Sequence, residues 1–577
     1  MTRAKPRGNR LIRSLALRRY APLAAVFLAA ACSQVPTPPP TVPPPPPPTP
    51  IEVQLLALND FHGNLEVPPP FDVTDPGAPP RKLVSGGAAH LAATIEKLRE
   101  GHRYTDTVAA GDLIGASPLT SALFLDEPTI HALDAIGLDF VSVGNHEFDK
   151  GVNELKRIQD GGCAVFTNRT PCGLEPYAGA HFHYLAANVF GPDGKTVFPA
   201  TGIRQFGPIK VGFIGMTLKG TGNLVTPSGV KGLTFADEAA TANALVPMLK
   251  AEGADTIVLL IHQGGKTPTF TEGKGCAGLS GDIIPIVQKL DPAIATVISG
   301  HTHWAYVCQA EEAGSTGNRL LTSAGKYGGF VTDIRLHFDP ATHALVSNFA
   351  MNVTVGTGAE DGKVKAIVDR YVAAAAPLAN RVVGRLSAAA PYSVDDAESP
   401  AANLIADAFL AATRAPAKGG AQLALVNASG VRVGLPAGDI AYKDVFRMMP
   451  FNNGVVVETL TGAQIARAIE QQYAQAPHVQ GGKPAALAVS QGVSYTVDLS
   501  RAPGSRVTAL ALGGRPIDPA ARYRVAMNNY MASGGDGLSA LAEGRDLVDT
   551  GIDVDALIAW IANGRTPPAA NRIRVVP

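Results

Sequence analysis

The sequence predicts an α/β protein, α+β overall, built from two folded domains. Three observations carry this. From Glu52 to about Val355 apolar strand-like runs alternate with helical segments, an amphipathic stretch follows from Asp361 to about Asn380, and a second mixture of helices and strands begins at Arg385. Such alternation marks layered α/β domains. The 577 residues also exceed one typical domain of roughly 100–200 residues.

The chain opens on Arg3, Lys5, Arg7, Arg10, Arg13, Arg18 and Arg19, followed by a short apolar run from about Ala21 to Ala31. This is a signal-peptide pattern over residues 1–31. The alternative, a transmembrane anchor, needs a longer run of roughly 17–25 residues. Arg18-Arg19 suggests twin-arginine export, but Ala21 stands where a bulky apolar residue is usual, so general secretion is expected. Leu28-Ala29-Ala30-Ala31-Cys32 resembles a bacterial lipobox with Cys32 as the lipidated residue, whereas Ala29-Ala30-Ala31 also suits the ordinary signal peptidase. Pro36 to Pro50 is almost wholly proline and threonine, an extended tether. Residues 32–50 are therefore expected to attach an exported protein, periplasmic or on the outer membrane, to a membrane through this anchor alone.

Residues 51–356 form the expected first domain, with helices at Ala88–Glu100, Pro128–Ile136, Gly151–Gln159 and Ala236–Glu252. Five of its apolar runs, VQLLAL, DTVAA, FVSV, TIVLLI and ATVIS, are each followed by ligand-type residues. These are Asp60 with His62, Asp112, Asn145 with His146, His262, and His301 with His303. Strands ending this way should converge their side chains at the carboxyl edge of one sheet. Residues 357–384 read as a linker helix, with Val364, Ile367, Val368, Tyr371 and Val372 at helical spacing. The second domain, 385–577, should carry helices near Asn403–Thr413 and Gly462–Gln475 and strands near Leu423–Val426, Val455–Thr459, Val493–Asp498 and Tyr523–Met527.

Four cysteines remain after Cys32: Cys163, Cys172, Cys276 and Cys308. In an exported chain they favour two disulfides, Cys163 with Cys172 and Cys276 with Cys308, although four cysteines allow three pairings and unpaired buried thiols are the alternative. Formal net charge is zero, with 49 basic and 49 acidic residues. No charged block argues for a nucleic-acid partner, and a small anionic ligand in a pocket fits better.

The chemistry follows from the residue types. Asp60 and His62 offer a carboxylate and an imidazole two residues apart, Asp112 can bridge two ions, Asn145 offers a carbonyl oxygen, and His262, His301 and His303 add nitrogens. Oxygen and nitrogen donors without thiolates suit manganese, zinc, iron or cobalt. Two such ions can activate a water and clamp a phosphoryl group. His146 is then free to donate a hydrogen bond to the phosphoryl or leaving-group oxygen, and Asp149, one helical turn on, can hold its ring. The remaining histidines read as surface or ordinary core residues.

In their order, Asp-x-His, Gly-Asp, Gly-Asn-His-Glu, His-Gln and Gly-His-x-His resemble the calcineurin-like metallophosphoesterases, and more closely the exported bacterial 5'-nucleotidase and UDP-sugar hydrolase family. That resemblance implies a layered β-sandwich flanked by helices and then a nucleotide-recognition domain. It implies one ion on Asp60, His62, Asp112 and His303, another on Asp112, Asn145, His262 and His301, and His146 with Asp149 as the catalytic dyad. Asn427-Ala428-Ser429-Gly430-Val431-Arg432, Pro450-Phe451-Asn452-Asn453 and Tyr530 to Gly537 resemble the family's substrate loops. By resemblance Asn427, Gly430, Arg432, Phe451, Asn453, Gly492, Tyr530 and Asp536 bind substrate. A base would stack between Phe451 and Tyr530, and Asp536 would accept from ribose hydroxyls. Ordinary core packing is the alternative for the two rings.

The chain also departs from that pattern. His303 stands where an amide is frequent, Ser429 replaces a glycine, Tyr530 replaces phenylalanine, and Asp395 and Asp396 precede Glu398 where an arginine is common. Fewer arginines favour monophosphates over diphosphates. The expected function is hydrolysis of nucleoside 5'-monophosphates to nucleoside and phosphate. Alternatives are a 2',3'-cyclic-nucleotide phosphodiesterase, a UDP-sugar diphosphatase, more remotely a thiosulfohydrolase, and, from another class, a catalytically silent nucleotide-binding lipoprotein.

Overall fold

Alternate side chains of the strand Ile51–Leu58 enter two different cores. Val53, Leu55 and Ala57 face one, Leu56 and Leu58 the other, and all five are buried, as the two-residue period of a strand requires. In the computed structural model the described residues are 49–577, except 76, 168, 274, 310–318, 393–397, 475–478, 481, 482, 485 and 577. The expected signal, Cys32 with its expected lipid attachment, nearly all of the expected tether, and Asp395 and Asp396 lie outside them.

Ile51–Leu58 belongs to a six-stranded sheet. Its neighbours are, on one side, the parallel strands Thr105–Ala109, Leu138–Ser142 and His183–Leu185 and, on the other, the antiparallel strand Phe330–Phe338, with Leu345–Thr354 paired antiparallel to that strand. A second six-stranded sheet runs Ala305–Gln309, Leu320–Ala324, Ile294–Ser299, Thr256–His262, Ile209–Thr217, Thr201–Phe206, with its four central strands parallel. The sheets pack face to face through Val53, Leu55, Phe213, Val258, Leu260 and Ile334. The helices Ala88–Arg99 and Glu127–Ile136 cover the outer face of the first, and Glu238–Ala251 covers the second.

The five ligand-bearing strands therefore end at the edges of two sheets, which corrects the expectation of one. The strands before Asp60, Asp112 and Asn145 lie in the first sheet and those before His262 and His301 in the second. A fully apolar run is buried on both faces in either arrangement, so the pattern does not tell the two apart.

The linker helix runs Gly362–Ala379, its first turn capped by the Asp361 carboxylate accepting from Val364 N at 2.7 Å. Val364, Val368, Tyr371 and Ala375 form its buried stripe. Beyond it a five-stranded sheet runs Ala488–Val489, Leu423–Val426, Arg522–Asn528, Gly454–Thr461, Arg545–Ile552. The helices Pro400–Thr413 and Asp553–Ile561 pack on one face and Gly462–Ala474 on the other. Leu119 and Ala122, from the first domain, join the apolar cluster that holds Phe446, Met448 and Met449, so the two halves share buried surface. Disulfides join Cys163 to Cys172 and Cys276 to Cys308. Among the described residues no helix is long and apolar enough to cross a membrane.

Candidate active site

At the strand ends the chain turns sharply, and the turning residues are themselves the candidate ligands. Asp60, His62, Asp112, His301 and His303 all adopt left-handed backbone, with φ between 47° and 72°. Each such non-glycine residue costs on the order of 1 kcal/mol or more. The geometry needs small neighbours: a Cβ on Gly144 would lie 2.2 Å from Asp112 Oδ1, and one on Gly300 would lie 2.7 Å from Ala110 O.

Two clusters result, Asp60 with His62 and His303, and Asp112 with His262 and His301, the ligand atoms of each lying within 4.8 Å of one another. Asp112 Oδ2 stands 2.9 Å from His262 Nε2 and 3.7 Å from His62 Nε2, so its carboxylate lies between the clusters. Asn145 Oδ1 is 3.0 Å from His301 Nδ1, and His303 Nε2 is 3.0 Å from His62 Nε2 and 3.4 Å from Asp60 Oδ1. His62 Nδ1 lies 2.9 Å from Gly115 O, and His262 Nδ1 2.7 Å from Ala110 O. A carbonyl only accepts, so both Nδ1 atoms carry hydrogen and both Nε2 lone pairs face the centre, an arrangement typical of metal-binding histidine.

The electrostatics fit a cation. His262 Nε2 is buried against the Asp112 carboxylate, 2.9 Å away. Burial draws the His262 pKa down, but the Asp112 carboxylate overrides it and raises the value to about 10. The Asp112 carboxylate thus favours positive charge at this position. Burial pushes Asp60 up to about 7, with the Asp112 charge adding to it, and burial lowers His62 and His301 to about 3, keeping them neutral as ligands must be.

His146 is set apart from the clusters. Its backbone N donates to Asp112 Oδ1 at 2.8 Å, and its Nδ1 lies 2.9 Å from Asp149 Oδ2, which also accepts from Ala116 N. Burial lowers the His146 pKa, but the carboxylates of Asp149 and Asp112 outweigh this and raise it. Two supporting residues had no role in the sequence reading. Buried Glu147 accepts from the backbone N of Asp112, Leu113 and Gly144 at 2.7–2.9 Å, fixing the Asp112 loop. Asn59 donates to Asp60 Oδ2 at 2.6 Å. Glu147 sits inside the Gly-Asn-His-Glu motif, where its spacing was the available signal.

A cleft of about 910 Å³ lies over the clusters, lined by Asp112, Asn145, His146, Asp149, His301 and His303 from one domain and by Asn427, Gly430, Arg432, Phe451, Asn453, Tyr530 and Asp536 from the other. Asp60, His62 and His262 lie buried and are not among its lining residues. Arg432 Nη2 reaches to 3.1 Å from His146 Nε2, and the Phe451 ring packs beside both, with the guanidinium 5.0 Å from its centroid and the His146 ring stacked at 5.9 Å.

Three details differ from expectation. Gly492 is not among the cleft-lining residues: its φ of 89° makes the turn into the strand Val493–Asp498, and its carbonyl accepts from Gly513 N. Asp536 is engaged within the protein, its Oδ2 accepting from Asn427 Nδ2 at 2.7 Å and Ser429 Oγ at 2.5 Å, and its Oδ1 lying 2.8 Å from the Tyr530 hydroxyl. It braces the substrate loops. Tyr530 is held against Gly535, where a Cβ would lie 2.4 Å from its ring, and Phe451 stacks on His146, so the two rings do not form a ready slot for a base.

Comparison with known proteins places this geometry. The calcineurin-like phosphoesterase profile matches residues 53–305 and the 5'-nucleotidase C-terminal domain profile matches 371–543. The chain belongs to the 5'-nucleotidase family of calcineurin-like phosphoesterases. It thereby falls among metal-dependent phosphoric ester hydrolases. The crystal structure of a 5'-nucleotidase precursor from Thermus thermophilus superposes with a TM-score of 0.72 at 26% identity, covering 91% of this chain and 99% of that one. A probable 5'-nucleotidase of Treponema pallidum is 25% identical over 88% of this chain and 91% of its own length. Endonuclease YhcR of Bacillus subtilis is 30% identical over 84% of this chain, which spans 37% of that longer relative.

Proposed function

We propose that the protein is an exported phosphohydrolase that uses two divalent cations to cleave nucleoside 5'-monophosphates to nucleoside and phosphate. Asp60, His62, Asp112 and His303 would hold one ion and Asp112, Asn145, His262 and His301 the other; manganese, zinc, iron or cobalt suits this donor set. Bound ions would supply an activated water and neutralise charge on the phosphoryl oxygens. The chain's own residues do the rest. Asp149 holds the His146 ring, whose Nε2 donates to the leaving oxygen, Arg432 pairs with the phosphoryl group, and Phe451 offers aromatic surface to the base.

One observation carries this reading: Arg432 and Phe451, from the second domain, stand against His146 of the first, with Arg432 Nη2 3.1 Å from His146 Nε2. Phosphate recognition and proton donation thus meet at one point. Export is supported by the signal-type N-terminus and by two disulfides. A second reading, a diphosphate substrate such as a UDP-sugar, is favoured by Lys266, held over the Trp304 ring at 5.2 Å, and by Lys326, both lining the same cleft.

The test is phosphate release from AMP, UMP, UDP-glucose and 2',3'-cyclic AMP by the metal-loaded mature chain, with Asp112→Ala and His146→Ala as controls. Preferred hydrolysis of AMP or UMP is expected, reduced about 100-fold or more by His146→Ala. Activity confined to the cyclic or diphosphate substrates would overturn the substrate assignment.

A further inference from the structure

A second cleft, of about 1070 Å³, is lined by Asp149, Thr226, Phe451 and Asn453, and these four residues line the first cleft too. The two spaces therefore meet beside the His146–Asp149 pair. Lys156, Arg169, Lys195 and Lys231 also line the second cleft, and among the described residues none of the four has a carboxylate partner. Lys150 is different, bound to Asp126 at 2.6 Å. The opposing carboxylates are Asp149, engaged with His146, and Asp193, which accepts from Lys195 N at 3.1 Å. Zero net charge over the whole chain thus conceals a local cationic surface leading away from the dyad.

The same cleft carries an aromatic ring. Phe166 is 49% exposed, a high value for phenylalanine, and sits with Arg169 in the loop that the Cys163–Cys172 disulfide closes. A cationic groove that follows a phosphate backbone, joined to an exposed ring on which a base can stack, is how proteins hold single-stranded nucleic acid without sequence preference.

We propose that this second cleft binds the continuation of a single-stranded oligonucleotide whose scissile phosphate lies at the dyad, making the protein a phosphodiesterase on such chains. The catalytic part rests on the metallophosphoesterase reading above; the binding part does not. In the reaction the oxygen of a water forms a bond to phosphorus and the ester P–O bond to the departing nucleotide breaks. The departing oxygen takes up a proton, leaving one phosphomonoester and one alcohol.

The test uses the full mature chain and a fluorescein-labelled oligothymidylate. Anisotropy is measured without divalent ions at several salt concentrations, and cleavage products are followed separately with manganese. The binding constant should fall steeply with salt. Lys156→Glu/Lys195→Glu/Lys231→Glu should weaken binding about tenfold or more and flatten the salt dependence, while AMP hydrolysis stays within about twofold of wild type, which also shows that the variant folds. Phe166→Ala should weaken binding by about fivefold or more. The milder Lys195→Gln/Lys231→Gln pair should fall between wild type and the triple variant. Absence of oligonucleotide binding by the wild type, or equal binding by the charge-reversed variant, would overturn the proposal. Shortened oligothymidylate is expected with manganese. Binding with AMP hydrolysed but the oligonucleotide uncut would overturn the phosphodiesterase step, whereas absence of AMP hydrolysis in the wild type would count against the metallophosphoesterase reading itself.

Discussion

Asp536 shows how single residues adapt the common site. The two positions where the substrate loops depart from the family pattern, Ser429 for glycine and Tyr530 for phenylalanine, both place a hydroxyl on this one carboxylate. The two changes therefore act together, and Asp536 becomes a brace for the loop that carries Arg432. Tyr530→Phe leaves a buried carboxylate oxygen without this donor, so stability should drop by about 1–2 kcal/mol; an unchanged melting temperature would show that the bond carries no weight. At this scale the proposed ligand residues were legible because each combines a coordinating side chain with a strand-to-loop position. The Arg432–His146 contact was not, since residues 286 apart in sequence meet only through domain packing. Nor was the distance of Gly492 from the cleft lining, since a glycine in a turn looks the same whether or not a ligand lies beside it.

The strand is the unit that makes the site possible. Five strands stop at the edges of two sheets, and at three of their ends left-handed residues turn candidate ligands into the gap. Helix and strand periods were readable through most of the chain. The short helix Asp553–Ile561 was missed, its mostly apolar segment DVDALIAWI giving little amphipathic contrast. Away from the site the two sheets are also tied electrostatically. Arg204, on Thr201–Phe206, reaches Asp106 at 3.3 Å and Asp139 at 3.4 Å on neighbouring strands of the other sheet. Burial, and then the adjacent Asp139, raise the Asp106 pKa from 3.8 to about 8. The folded chain therefore holds a proton that the unfolded chain has lost across the interval between these values. This contribution to stability is largest at the acidic end and declines as pH rises through about 8. Between pH 6 and 9 the melting temperature of wild type should fall more than that of Asp106→Asn. Parallel pH curves for the two proteins would contradict this.

The molecule as a whole divides its labour in this proposal, with the candidate ligand clusters in one domain and the proposed substrate loops in the other. Buried Leu119 and Ala122, packed into the second domain's core, hold the halves together. Leu119→Glu places a charge in that contact. Its kcat/KM for AMP should fall about tenfold or more, while hydrolysis of a small aryl phosphate, which needs only the first domain, should fall much less; equal losses on both substrates would mean that the second domain does not select the nucleotide. The central claim is that the two clusters jointly hold the ions that hydrolyse a nucleotide. Its most direct test is AMP hydrolysis by metal-stripped protein as manganese or zinc is restored and the bound ion is counted. Turnover should rise as about two ions bind per chain, and Asp112→Ala should abolish both tight binding and turnover. Full activity without bound ion, or two bound ions with no hydrolysis of any nucleotide, would contradict the account.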